Sequence, residues 1–111
     1  MADDDESVIS AVTLAELAYG LDIGDSIQRE HRRRRFERVL ARLEVIPFGV
    51  EEAKLYGVLA TLAREAGRNP RPRRLDLQIA ATAAAARLPL VTANPRGFIA
   101  VDRLVTIIPI A

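Results

Sequence analysis

The order of elements readable in this sequence predicts an α/β fold on a small parallel sheet. Short apolar runs alternate with longer segments of helical periodicity, in the order β-α-α-β-α-α-β-turn-β. Such alternation implies parallel strands joined by right-handed crossovers. The strand-like runs lack clean polar alternation, as strands covered on both faces do, and they predict one sheet of four strands. The third observation is the stretch Leu75 to Asn94, LDLQIAATAAAARLPLVTAN. It sets a carboxylate, Asp76, at the start of an Ala-rich helix and ends in the polar Thr92 and Asn94 just past a short strand. Ligands in open α/β sheets bind outside the carboxyl ends of the strands, so the acid and the polar pair are predicted to meet in one cleft.

The elements follow in order. Met1 to Glu6 is a polar tail, and Val8 to Ser10 a short strand. Thr13 stands three residues before Glu16, the spacing of a capping box, and Leu14, Leu17, Ala18 and Leu21 form the stripe of a first helix closed by Gly20 or Gly24. Glu16 thus has two readings: a cap on the Thr13 amide, or an acid pointing at a cleft beyond the strand. A second helix runs from Ser26 to about Leu43, with Ile27, Phe36, Val39, Leu40 and Leu43 as its buried stripe and arginines over the rest. Glu44 to Phe48 reads as a strand, and Val50 to Ala66 as a third helix ended by Gly67. Arg68 to Arg74 is a basic, proline-containing loop; the Ala-rich helix follows from Asp76, with a turn at Pro89 and a strand ending at Val91. Leu104 to Ile108 is the last strand.

Composition narrows the chemistry. The 111 residues suffice for one domain with one core, and half of them are hydrophobic. There is no cysteine and one histidine, which excludes disulfides, a thiolate metal site and a Cys nucleophile, and leaves no His-rich zinc site. A metal held by oxygen ligands would be a hard cation such as Mg²⁺ or Mn²⁺. No apolar run is long enough to span a bilayer, and the acidic start lacks the basic region of a signal peptide, so a cytoplasmic protein without membrane association is expected. The net charge of +1 conceals an acidic run at residues 3 to 6 and an arginine run at residues 32 to 35. That arginine run is either a solvated helix face or a phosphate-contacting patch.

Ser10 to Leu21 (SAVTLAELAYGL), Leu75 to Asn94 and the following Arg96-Gly97-Phe98 resemble a PIN domain, with the match extending over almost the whole chain. The similarity is greatest to the VapC-type ribonuclease toxins of bacterial type II toxin–antitoxin systems. It implies a PIN-like three-layer fold, with a small parallel sheet flanked by helices, as a single domain over residues 1–111. It also implies a Mg²⁺- or Mn²⁺-dependent endoribonuclease restrained by a VapB-like antitoxin, and a homodimer. Carried over by motif, Glu16 and Asp76 are the catalytic and metal-binding acids. Thr92 orients an acid or a metal-bound water, and Asn94 lines the metal site. Arg71, Arg73 and Arg74, with Arg32 and Arg33, would hold the RNA backbone.

The sequence departs from that pattern in two places. The apolar first strand ending in Asp is expected to be missing, and Asp3, Asp4 and Asp5 do not follow an apolar run that would give them its role. The acid before the Phe of the N-x-x-D-F motif is here Gly97. With Glu16 and Asp76 as the only carboxylates carried over, the chain as given is expected to cut RNA weakly or not at all. The alternative is a truncated, non-catalytic PIN-like module that binds antitoxin or RNA.

Overall fold

This computed structural model describes residues 8–92 and 94–109, Ile99 by its backbone alone. The acidic tail, including Asp3 to Asp5, and Ala93 lie outside those residues. The chain divides between Pro47 and Phe48 into two compact units.

In the first unit, strand β1 (Val8–Ser10) runs directly into helix α1 (Ala11–Tyr19). The cap is Ser10, not Thr13: extended at φ −75°, ψ 148°, its Oγ accepts the Thr13 amide at 2.9 Å. A 3-10 turn (Gly20–Asp22) and Gly24 at φ 97° reverse the chain. Helix α2 (Ser26–Arg42) then starts in a complete capping box. Gln28 N donates to Asp25 Oδ1 at 2.9 Å, and Asp25 N to Gln28 Oε1 at 3.0 Å. Strand β2 (Glu44–Ile46) lies parallel to β1 with Ile9 opposite Val45.

The apolar stripe predicted for α2 is only partly covered. Phe36, Val39 and Leu43 are half-buried, but Ile27 is 69% and Leu40 49% exposed. Within its unit α2 packs on α1 and the 3-10 turn, too little surface to cover a 17-residue helix.

The second unit contains the apolar core. Glu52 accepts the Gly49 amide at 2.8 Å and so starts helix α3 (Val50–Glu65). Gly67 ends it in the left-handed region at φ 82°, with Arg68 N bonding back to Ala63 O and Gly67 N to Arg64 O. A 3-10 turn at Arg71–Arg73 leads into helix α4, which runs Arg74–Ala86 and so begins two residues before Asp76. Pro70 and Pro72 have the φ that such turns require and lack the amide that a helix start leaves unpaired. Leu59 of α3 meets Leu77, Ala80 and Ala81 of α4, joined by Phe98, Val101 and Val105. The alanines, without larger side chains, let the two helices approach closely.

The end of α4 also departs from expectation. Arg87, at φ 59°, makes the left-handed turn, with Leu88 N on Ala83 O and Arg87 N on Ala84 O. Strand β3 (Leu90–Thr92) pairs in parallel with β4 (Ile107–Pro109), Val91 facing Ile108. Leu104 is not in the last strand; its amide bonds to Val101 O at 3.1 Å and extends the 3-10 winding of Pro95–Val101.

The fold is α/β with parallel strands, as expected. The four strands, however, pair as β1 with β2 and β3 with β4 among the described residues, rather than as one continuous sheet. Short apolar runs signal that a strand exists and is covered; they do not specify which neighbour it bonds. Among the described residues no helix is long and apolar enough to cross a membrane.

Candidate functional site

In the second unit three polar side chains converge on the one residue nearby without a side chain. Asp76 is the third residue of α4, but no side-chain cap is made at that helix start; Arg73 occupies the capping position without a side-chain bond. Among the described residues the Asp76 carboxylate has neither a hydrogen bond nor an ion pair, although it is half-buried. A carboxylate held at a fixed helix position and left unengaged is available to a ligand.

The other wall of the site is the turn after β3. Thr92 Oγ1 accepts the Asn94 amide at 3.0 Å, a local side-chain bond that sets the turn. Asn94 then leads the 3-10 segment, with Gly97 N on Asn94 O at 3.2 Å. Arg68 braces that segment by donating to Arg96 O at 3.1 Å. The result brings Gly97, itself buried, beneath the polar groups. A Cβ on Gly97 would lie 3.3 Å from Asn94 Nδ2, 3.5 Å from Asp76 Oδ2 and 3.9 Å from an Arg73 guanidinium nitrogen. Asp76, Asn94 and Arg73 thus surround a single point. Arg71 and Arg74 flank it in sequence and are exposed.

The remaining residues singled out in the sequence belong to the first unit. Glu16 is exposed on α1. The Thr13 amide is taken by Ser10, so the capping reading of Glu16 does not hold and its carboxylate is not needed at the helix start. Arg32 is half-buried and donates to the carbonyls of Gly20 and Ile23, closing the turn between α1 and α2. Arg34 pairs with Glu30 at 3.2 Å on the exposed face. Arg33 and Arg35 are exposed and make no ion pair among the described residues.

Among the described residues no group of three or more acidic or imidazole side chains is placed to hold a metal. At that point the second unit presents one unengaged carboxylate oxygen, with the Asn94 amide nitrogen and the Arg73 guanidinium beside it. One carboxylate leaves most of a hard cation's shell to water and substrate oxygens; it does not amount to a closed cage. A hollow of about 430 Å³ lies at the opposite end of α4, lined by Arg87, Leu88, Pro89 and Leu104 among others, and shares no residue with this cluster. The sequence expects Asp76, Thr92 and Asn94 to meet in one cleft, with Arg73 among the loop arginines before it. It gives no signal that Asp76, Asn94 and Arg73 gather around Gly97, because that depends on the 3-10 turns before α4 and after β3.

Comparison with known proteins adds a family. The PIN domain matches residues 1–104. The Ribonuclease VapC2 of Rickettsia felis is 32% identical over 105 residues, which are 95% of this chain and 75% of that protein. Among solved structures, the VapBC-5 toxin–antitoxin system of Mycobacterium tuberculosis superposes with a TM-score of 0.82 at 34% identity, covering 93% of this chain and 81% of that one. VapBC2 of Rickettsia felis, bound to a DNA fragment from its promoter, gives a TM-score of 0.75 at 30% identity, with 94% and 74% covered.

Proposed function

The chain belongs to the PIN domain family, and from that premise we propose that it is a VapC-type endoribonuclease toxin which hydrolyses RNA phosphodiester bonds. The observation that carries the reading is the Asp76 carboxylate, unengaged at the head of α4 with Asn94 and Arg73 around the same point. Its relatives include a protein named as a ribonuclease and toxins solved with their antitoxins, and a VapB-like antitoxin is accordingly the proposed partner. We assign the working form to a homodimer in the cytoplasm.

In this reading Asp76 and Glu16 hold Mg²⁺ or Mn²⁺, and Asn94 lines its site. The cation, when bound, supplies charge neutralisation at the phosphate and a water acidic enough to act as hydroxide near neutral pH. The chain's own groups do the rest. Arg73 lies where it can donate to a non-bridging phosphate oxygen, and Arg71 and Arg74 extend that contact along the backbone. Thr92 fixes the turn that presents Asn94. Since Arg32 is already engaged with the Gly20 and Ile23 carbonyls, Arg33 is the better placed of that pair to reach RNA.

A second reading is favoured by Gly97, which brings no carboxylate to the point facing Asp76. It is a PIN-like module that binds antitoxin or RNA without cutting. Incubating the purified chain with a mixed RNA pool decides between them. The enzyme reading expects slow cleavage in Mg²⁺ or Mn²⁺, stopped by EDTA and by adding a VapB-like antitoxin. RNA left intact at protein excess, together with RNA binding, establishes the module instead.

A further inference from the structure

We infer that Arg68 is a positioning residue, which holds the Arg96–Gly97 peptide in the orientation that keeps Asn94 beside Asp76. For its effect on cleavage the inference rests on the ribonuclease reading. It goes beyond that reading by giving one arginine of the basic loop to the frame of the site rather than to RNA.

Two hydrogen bonds meet on one planar peptide group. Its carbonyl, Arg96 O, accepts from the Arg68 guanidinium at 3.1 Å. Its amide, Gly97 N–H, donates to Asn94 O at 3.2 Å. Since the group is planar, the two bonds fix one orientation together. Arg68 is itself well held. Its own amide bonds to Ala63 O at 2.9 Å, just past the left-handed Gly67 that ends α3. Its side chain is half-buried, whereas Arg71 and Arg74 are exposed.

Gly97 is the reason that an outside bond matters. Turning a peptide plane over changes ψ of the residue before it and φ of the residue after it, and glycine enters the left-handed region at little cost. Gly97 is not left-handed here, so the peptide holds one of the orientations that a glycine tolerates. A guanidinium donates and cannot accept. It therefore favours the orientation that shows it a carbonyl and opposes the one that shows it an N–H. The buried Phe98 and Val101 anchor the segment after Gly97 in the core but do not orient the plane before it. Turning over would take Gly97 N–H away from Asn94 O and release the turn. The consequence falls on the site, because Asn94 Nδ2 and Asp76 Oδ2 lie 3.3 and 3.5 Å from a Cβ position on Gly97.

The test compares two variants of the intact chain. Arg68→Met keeps an apolar stem over the surface that the arginine covers and removes the donors. Arg68→Lys keeps a donor for a single carbonyl. Hydrogen exchange at the buried Gly97 amide, followed by NMR, should quicken at least about tenfold in Arg68→Met and return to within about threefold in Arg68→Lys. Cleavage of an RNA oligonucleotide in Mg²⁺ should lose about 10- to 100-fold in kcat in Arg68→Met, the scale of a small misplacement near the reacting groups, with KM within about twofold. Arg68→Lys should recover most of that loss. RNA affinity measured in EDTA should keep its salt slope in both variants. Should Arg68→Met fail to fold by circular dichroism, Arg68→Gln, whose amide falls short of the guanidinium nitrogen, is scored in the same way. Unchanged Gly97 exchange in the Met variant overturns the inference, as does no recovery in the Lys variant. A salt slope flattened by about 0.7 also overturns it and makes Arg68 a phosphate contact. The expected exchange pattern with RNA left intact by every variant and by the unaltered chain refutes the ribonuclease reading alone. Cleavage by the unaltered chain that Arg68→Met leaves unchanged refutes this inference alone.

Discussion

The two units differ in what holds them. Every buried apolar side chain among the described residues lies after Phe48, from Leu59 at 0% exposure to Val105 at 5%. Before Pro47 the one buried described residue is Ser10, a polar cap. The first unit is fixed by short-range polar contacts: Ser10 on Thr13, the Asp25–Gln28 box, and Arg32 on two carbonyls. The second is fixed by side chains distant in sequence that exclude water together. Local caps contribute about 1 kcal/mol each, whereas a buried leucine contributes several times that. The contrast bears on function, because Asp76 is carried by a packed helix next to the fully buried Leu77, and Glu16 by a helix in which no described residue is buried.

The largest effect expected is on stability. Leu59→Ala should lower the unfolding free energy by about 2–5 kcal/mol, through lost burial and the cavity left behind. Leu40→Ala, at a residue 49% exposed, should cost under about 1 kcal/mol. Urea denaturation of both variants checks the asymmetry; equal losses would break it.

The next effect is catalytic. Asp76→Asn keeps the shape and removes the charge, and should reduce RNA cleavage by about 10²-fold or more, the scale of losing one preorganised electrostatic contact. Glu16→Gln should do the same, with binding to a VapB-like antitoxin and the urea midpoint both retained. A Glu16 variant with unaltered cleavage would confine the chemistry to the second unit.

How much of this was legible in the sequence follows the same division. Helix existence, the strand at Val8–Ser10 and the acid at the head of an Ala-rich helix follow from periodicity and end signals. What escaped depends on competition or distant packing. Ser10 and Thr13 are both good caps, and only the backbone decides between them. Arg87 takes a left-handed conformation that sequence reserves for glycine or asparagine, so the turn was expected at Pro89. The pairing of strands in twos depends on neighbours, which an apolar triplet does not name. At the site, a cleft shared by Asp76, Thr92 and Asn94 follows from the helix start and the strand end, whereas Gly97 as the point that Asp76, Asn94 and Arg73 surround exists only once the 3-10 turns are formed.

A smaller effect sharpens the account of the first unit. Asp25→Ala removes one side of a complete capping box and should cost about 1 kcal/mol. Hydrogen exchange locates the loss. Amides in the first turn of α2 should exchange faster, while those of α3 and α4 keep their protection. Uniform acceleration through all of them would mean that the cap supports the whole molecule rather than one helix.

The smallest effect separates the arginines of the two units. In the run 32–35, Arg32 bonds to backbone carbonyls and Arg34 pairs with Glu30, which leaves Arg33 and Arg35 exposed without an ion pair among the described residues. Arg71 and Arg74 are exposed beside Asp76 in sequence, in the unit that carries the Asn94–Arg73 cluster. Each phosphate contact to single-stranded RNA contributes about 0.7 to the slope of log affinity against log salt. In an Asp76→Asn background, where RNA survives the titration, changing Arg71 and Arg74 to Gln should flatten that slope by about 1.4. Changing Arg33 and Arg35 to Gln should flatten it by about 0.7 or less, since the main phosphate contacts are assigned to the arginines of the second unit. Fluorescence anisotropy over a salt series reads both. A larger change from the α2 pair would reverse the assignment and make the first unit the main RNA-holding surface, with its exposed helix face, rather than the packed core, as the feature that binding depends on.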